Sequence, residues 1–202
     1  MKKQITVFFV CLYVTTMSNA QTTRQHDSHA HGVVELNIVL EGDKLAIELI
    51  SPAANIVGFE HAPSSDEQKS ALAQAEQSLE QADKLFVLSE QAGCQPEHVH
   101  VESELLEGEY DDEHASENDT DGHRADEQAK EHGHEEETHS EFHVEYDFKC
   151  DDIEKLTQIQ VNLFDVFPAT EKLNVQLLTP NQQTALTLNS NNFNIDLWKY
   201  CG

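Results

Sequence analysis

The chain has 202 residues, 38 of them Asp or Glu against 12 Lys or Arg, for a formal net charge of −26 at pH 7. A balance this acidic repels nucleic acid and anionic lipid, which excludes both as direct partners and favours cations. The length suits one domain with a modest core.

Residues 1–20 read as a secretory signal peptide. Lys2 and Lys3 supply the charged start, residues 5–14 the apolar stretch, and Ser18-Asn19-Ala20 the small residues before a cut. The apolar stretch is too short to span a bilayer. Cys11 lies inside it, a poor place for a lipoprotein cysteine. No later stretch is long enough to cross, so stable membrane insertion is not expected. The expected product is a soluble exported protein, destined for the periplasm or the medium, with residues 21–202 as a single domain. Loss of Lys2 and Lys3 takes its formal charge from −26 to −28.

The mature chain opens on HDSHAHG, where His26, His29 and His31 precede the first strand. His29 and His31 are spaced to chelate together from extended backbone; the alternative is a plain tail. Residues 33–40 alternate, with Val34, Leu36, Ile38 and Leu40 on one face. Glu41-Gly42-Asp43 turns the chain and Leu45, Ile47 and Leu49 alternate again, which predicts an antiparallel hairpin with one buried face. SPAANIVGFEHAP reads as a loop and carries Glu60 and His61, the latter a further candidate ligand. Ser64 and Glu67 form a capping box. Leu72, Ala75, Leu79, Ala82 and Phe86 then recur at helical spacing, predicting a helix of about 25 residues with Asp83 as the place for a break and Gly93 as its stop.

Residues 99–106 read as extended. A long insert follows: residues 109–141 contain fourteen Asp or Glu and five His (His114, His123, His132, His134, His139), with only Arg124 and Lys130 opposing them. Almost no apolar side chain interrupts it, so residues 109–138 are expected to be disordered. Residues 139–148 alternate with Phe142, Val144, Tyr146 and Phe148 on one face. A second helix is predicted from Asp151 or Asp152, carrying Ile153, Leu156, Ile159, Leu163 and Phe167. Residues 173–178 and 184–188 form a last hairpin. The expected fold class is α+β: an antiparallel sheet built from hairpins, two main helices, and the disordered His/Asp/Glu-rich insert.

Cys94, Cys150 and Cys201 remain after cleavage. In an oxidising compartment Cys94 and Cys150 are the natural disulfide pair, closing a loop that holds the whole insert. Cys201 is the odd one out. No CxxC or CxxH spacing exists, so a thiolate zinc site is not expected.

Imidazole nitrogens beside carboxylate oxygens are the ligands of borderline divalent cations. Strand alternation puts His139, Glu141, His143 and Glu145 on one face, and likewise His98, His100, Glu102 and Glu104. If the two strands pair across the neck of the insert, both rows share a surface. The competing reading is two solvated polar faces. The insert can chelate in many arrangements, with moderate affinity and fast exchange. No methionine remains after cleavage, which weakens a copper(I) role. No DxDxDG loop supports calcium, and zinc fits the ligand set best, with nickel and copper(II) still open. HExxH, GxSxG, Walker and GxGxxG motifs are all absent, so no enzyme is expected.

HAHGVVELNIVLEGDKLAIEL, SPAANIVGFEHAP, LFVLSEQAGC, HSEFHVEYDFKC and LFDVFPATEKLNVQLLTPNQQTALTL together resemble the ZrgA family of zinc-regulated periplasmic zinc-binding proteins. The resemblance spans nearly the whole mature chain. It implies expression under zinc limitation and zinc binding outside the inner membrane. It also implies support of zinc import beside the zinc ABC importer and its solute-binding protein. It carries over Cys94 and Cys150 as a pair, and His29, His31 and the insert histidines as metal-binding positions. Cys201 departs from the family pattern. The alternatives are a zinc-dependent hydrolase and a zinc buffer for detoxification.

Overall fold

The computed structural model describes residues 30–107 and 140–200. The expected signal peptide, His26, His29, the insert with His114, His123, His132 and His134, His139, and Cys201 lie outside the described residues.

The first hairpin forms as its alternation dictates. β1 (Val33–Glu41) and β2 (Lys44–Pro52) pair antiparallel, turning at Gly42 with φ 62°. Val34, Leu36, Ile38 and Leu40 are buried with Leu45, Ile47 and Leu49. A one-turn helix, α1 (Ala53–Ile56), follows at once within the stretch read as loop. Next comes α2 (Asp66–Leu79), buried along Leu72, Ala75 and Leu79. Its cap is displaced by one residue from the expected Ser64–Glu67 box. The Ser65 hydroxyl accepts from the Gln68 N–H at 3.2 Å, and the Gln68 side chain accepts from the Ser64 N–H at 2.9 Å.

The helix ends earlier than its apolar spacing predicts. α3 (Ala82–Leu85) adds one turn, and β3 (Phe86–Leu88) is a strand. Ala82 and Leu85 keep helical spacing and are buried, so the pattern hides the break. What decides Phe86-Val87-Leu88 is pairing with a distant strand, which propensity over a short window cannot anticipate. β4 (Gln95–Glu102) starts earlier than expected, and α4 (Glu104–Glu107) takes Glu104 off the strand. β5 (Glu141–Lys149) forms as predicted.

The largest correction concerns residues 151–167, where the expected second main helix does not form. A 3-10 turn at Ile153–Lys155 leads into β6 (Gln158–Val161) and the one-turn α5 (Leu163–Val166). Two periods compete here. Ile153, Leu156, Ile159, Leu163 and Phe167 suit a helix, while Ile159 and Val161 alternate with Gln158 and Gln160. The β-branched alternation wins because β6 pairs on both sides. β7 (Lys172–Leu178) and β8 (Gln183–Leu188) make the expected last hairpin, and β9 (Asn194–Asp196) completes the strands among the described residues.

The fold is thus mostly β with few helices. Six strands run in the order β4-β5-β2-β1-β7-β8 and three more in the order β3-β6-β9. The main sheet is not purely antiparallel, because its interior neighbours β1 and β7 are parallel. Its inner face joins α2, α3, α5 and the small sheet in one core. Tyr146 shows the fit: its hydroxyl donates to the Leu79 carbonyl at 2.9 Å and its ring meets Phe86 edge-on at 5.0 Å. Burial pushes the phenol's pKa far up, so it stays a neutral donor.

Strand directions sort the sheet's two ends. β1 and β5 begin, and β2 and β4 finish, at the end where the insert leaves the domain. Cys94 and Cys150 are bonded at the opposite end of the β4–β5 ladder. There the Cys150 N–H donates to Asp43, in the β1–β2 turn, at 2.9 Å. Gly93, at φ 60°, leads into the bond, and a Cβ there would lie 2.6 Å from Asp151 Oδ2. The bond therefore staples the open end of a hairpin whose connection is the insert.

Candidate metal centre

β4 and β5 are antiparallel neighbours, so the two polar rows flanking the insert do share one surface. Glu102 lies opposite His143, His100 opposite Glu145, and His98 opposite Asp147. Beyond β5 the register sets Glu145 opposite Glu48 of β2, and Glu48 opposite Asn37 of β1. The Asn37 side chain donates to Glu48 at 2.8 Å. Val99 and Val101 turn the other way, toward the core. Glu104, on α4, is not part of the row.

Three pairs within this region bear on metal chemistry. The rings of His98 and His100 stack with centroids 6.3 Å apart and planes 14° from parallel. His143 Nε2 lies 3.3 Å from Glu141 Oε2. His31 Nε2 lies 3.2 Å from Glu60 Oε1, with the imidazole exposed and the carboxylate mostly covered. Ligand bonds of about 2.0–2.1 Å in a tetrahedron put neighbouring donor atoms about 3.3 Å apart. Both His–carboxylate pairs therefore span one edge of such a polyhedron, a length that also suits a plain hydrogen bond. Among the described residues no three His, Cys, Asp or Glu side chains converge as a metal group.

The His31–Glu60 pair is held by its surroundings. Buried Asn55 accepts from the Gly32 N–H at 2.7 Å and donates to the Val33 carbonyl at 3.1 Å. This fixes the start of β1 against the 53–60 segment. Ser140, which enters β5, donates its hydroxyl to the Glu60 carbonyl at 3.0 Å, and its backbone carbonyl accepts from the Ala53 N–H at 2.8 Å. The N-terminal entry, the Glu60 loop and the insert's exit are thus tied at one end of the sheet. His61 does not join His31. Its ring stacks on Phe59 at 5.4 Å, with Nδ1 3.0 Å from the Ala62 carbonyl.

Sequence reading missed the partners: Glu60 for His31, Asn55 and Ser140 as positioning groups, and Glu48 behind Glu145. The signal for the first three lies in SPAANIVGFEHAP and HSEF, where small polar residues stand beside the candidate ligands. No helix among the described residues is long and apolar enough to cross a membrane. No curated protein matches the chain. A family model described as "ZrgA family zinc uptake protein" matches residues 28–197.

Proposed function

The chain belongs to the ZrgA family of zinc uptake proteins, and on that premise we propose that it is an exported protein that captures Zn²⁺ through His and carboxylate ligands and feeds zinc import. The observation that carries this reading is the β4–β5 register. It sets His98, His100 and Glu102 beside His143, Glu145 and Asp147 on one open face at the root of the insert.

Zinc is the cargo, and the ligand chemistry fits it. Imidazole and carboxylate are its usual nitrogen and oxygen donors. Glu145 and Glu48 lie directly opposite each other, a like-charge juxtaposition that a bound cation relieves. Pairs rather than closed sets of four leave coordination positions open, which suits an ion that must be passed on. Residues 109–138, with His26, His29 and His139, supply many overlapping donor sets and serve as the collector. His31–Glu60, Glu141–His143 and the His98–His100 face serve as the fixed positions, with His61 as an accessory. The receiving partner is the solute-binding component of a zinc ABC importer, and the compartment is the periplasm reached through residues 1–20.

The direction of traffic is tested by growth. A strain lacking the protein should grow poorly with a zinc chelator and normally in excess zinc. Sensitivity to excess zinc with normal growth under chelation overturns the uptake reading in favour of a buffer.

A further inference from the structure

The main sheet has two edges, β4 and β8, and among the described residues only β4 carries features that guard it. β4 carries Pro96, a register shift between Pro96 and His98, and exposed Glu97 and Glu102, each of which discourages another strand from adding. β8 carries none of these. Its sequence QTALTL has no charge and no proline, and among the described residues β7 is its one strand neighbour.

The contrast extends well past one strand. From Leu173 to Ile195 the chain contains no Asp, Glu, Lys, Arg or His, although 25% of the whole chain is Asp, Glu, Lys or Arg. This run makes up most of β7, all of β8 and the start of β9. The core is also unfinished there. Thr184 and Leu186 point to the same face as buried Leu173, Val175 and Leu177, yet both stay half-exposed. On the opposite face Leu178 is exposed.

We propose that β8 is the seam of a homodimer in which two copies add antiparallel at this edge to make one continuous sheet. Charge selects the occupant. Two copies this acidic repel each other over most of their surfaces, and the uncharged β7–β8 edge is where they approach without opposing like charges. A two-fold axis beside Ala185 keeps the pleat in phase: Leu186 of each copy lies opposite Thr184 of the other, on the core face. The contact is isologous and closes on itself, because the guarded β4 edge cannot continue the sheet into a filament. Both metal-binding faces then sit at the outer ends of the joined sheet, away from the seam. Six residues make a short seam, so association is weak and concentration-dependent.

Sedimentation equilibrium of the mature chain, residues 21–202, tests this from micromolar to several hundred micromolar. The expected result is a monomer–dimer equilibrium that tightens as salt rises, since salt screens acid–acid repulsion. Ala185→Glu, at an exposed position, should weaken association at least tenfold with an unchanged far-ultraviolet circular dichroism spectrum. Glu97→Lys on the β4 edge should leave association intact. As a second readout, hydrogen exchange of the β8 amides should slow with protein concentration. A monomer throughout the range overturns the proposal, as does a dimer that Glu97→Lys breaks and Ala185→Glu does not.

Discussion

His100 of β4 faces Glu145 of β5 at the edge of the main sheet, and Glu145 in turn faces Glu48 of β2. An imidazole beside two opposed carboxylates is poorly arranged for the empty protein and well arranged for a cation. Stability and affinity should therefore respond in opposite directions. Glu145→Gln is expected to raise the stability of the metal-free protein, by about 0.2–1 kcal/mol, while weakening zinc binding. Thermal unfolding with and without zinc checks both, and a variant that loses stability without zinc contradicts the repulsion argument.

Asn55 should matter more than its place in the one-turn helix α1 suggests. Asn55→Ala leaves the Gly32 N–H and the Val33 carbonyl without their side-chain partner. A buried group stranded in this way costs about 1–3 kcal/mol. Urea denaturation should show that loss. Asn55→Asp keeps the acceptor but not the donor and should not restore full stability.

The disulfide is predicted to act on the unfolded chain. Cys94 and Cys150 are 56 residues apart, for which loop-closure entropy gives about 4 kcal/mol. Reduction or a Cys94→Ala/Cys150→Ala variant should lower the thermal midpoint sharply. Deleting residues 109–138 shortens the loop, yet the logarithm makes the change small, less than about 1 kcal/mol. If the deletion removes most of the disulfide's effect, the entropic account is wrong.

Zinc binding should release protons and weaken with acid. Imidazole binds metal only when unprotonated, so affinity is expected to fall as the solution is made more acid. A titration repeated from pH 7.5 to 5.5 in two buffers of different ionisation heat counts the protons. Binding unchanged at pH 5.5 would point to carboxylates alone.

Much of the sheet was legible in the chain because each of its long strands has one buried face. Val34 to Leu40, Leu45 to Leu49 and Phe142 to Phe148 alternate so clearly that their buried faces follow, and the turn at Gly42 pairs the first two. The same alternation located the His/Glu rows before any register was known. Residues 80–88 and 151–167 failed for a common reason. There the helical spacing of Ala82 with Phe86, and of Ile159 with Leu163, runs across β3 and β6, strands of a second sheet whose pairing is long-range. The parallel contact of β1 with β7 was likewise invisible, since nothing local in either strand marks its neighbour. At the candidate centre, composition revealed donors but not partners. The reach of Glu60 to His31 depends on Asn55 and Ser140 holding three distant segments together.

The most direct test of the account is calorimetric titration of zinc into a chain of residues 21–202, into the same chain lacking residues 109–138, and into that shortened form with His98→Ala, His100→Ala and His143→Ala. The account predicts several ions for the 21–202 chain, fewer but still tight binding without the insert, and at least tenfold weaker binding once the three histidines are gone. If the form lacking the insert binds no zinc below millimolar concentration, the open face of β4 and β5 is not a zinc site. If the 21–202 chain also fails to bind, capture of zinc by this chain is ruled out.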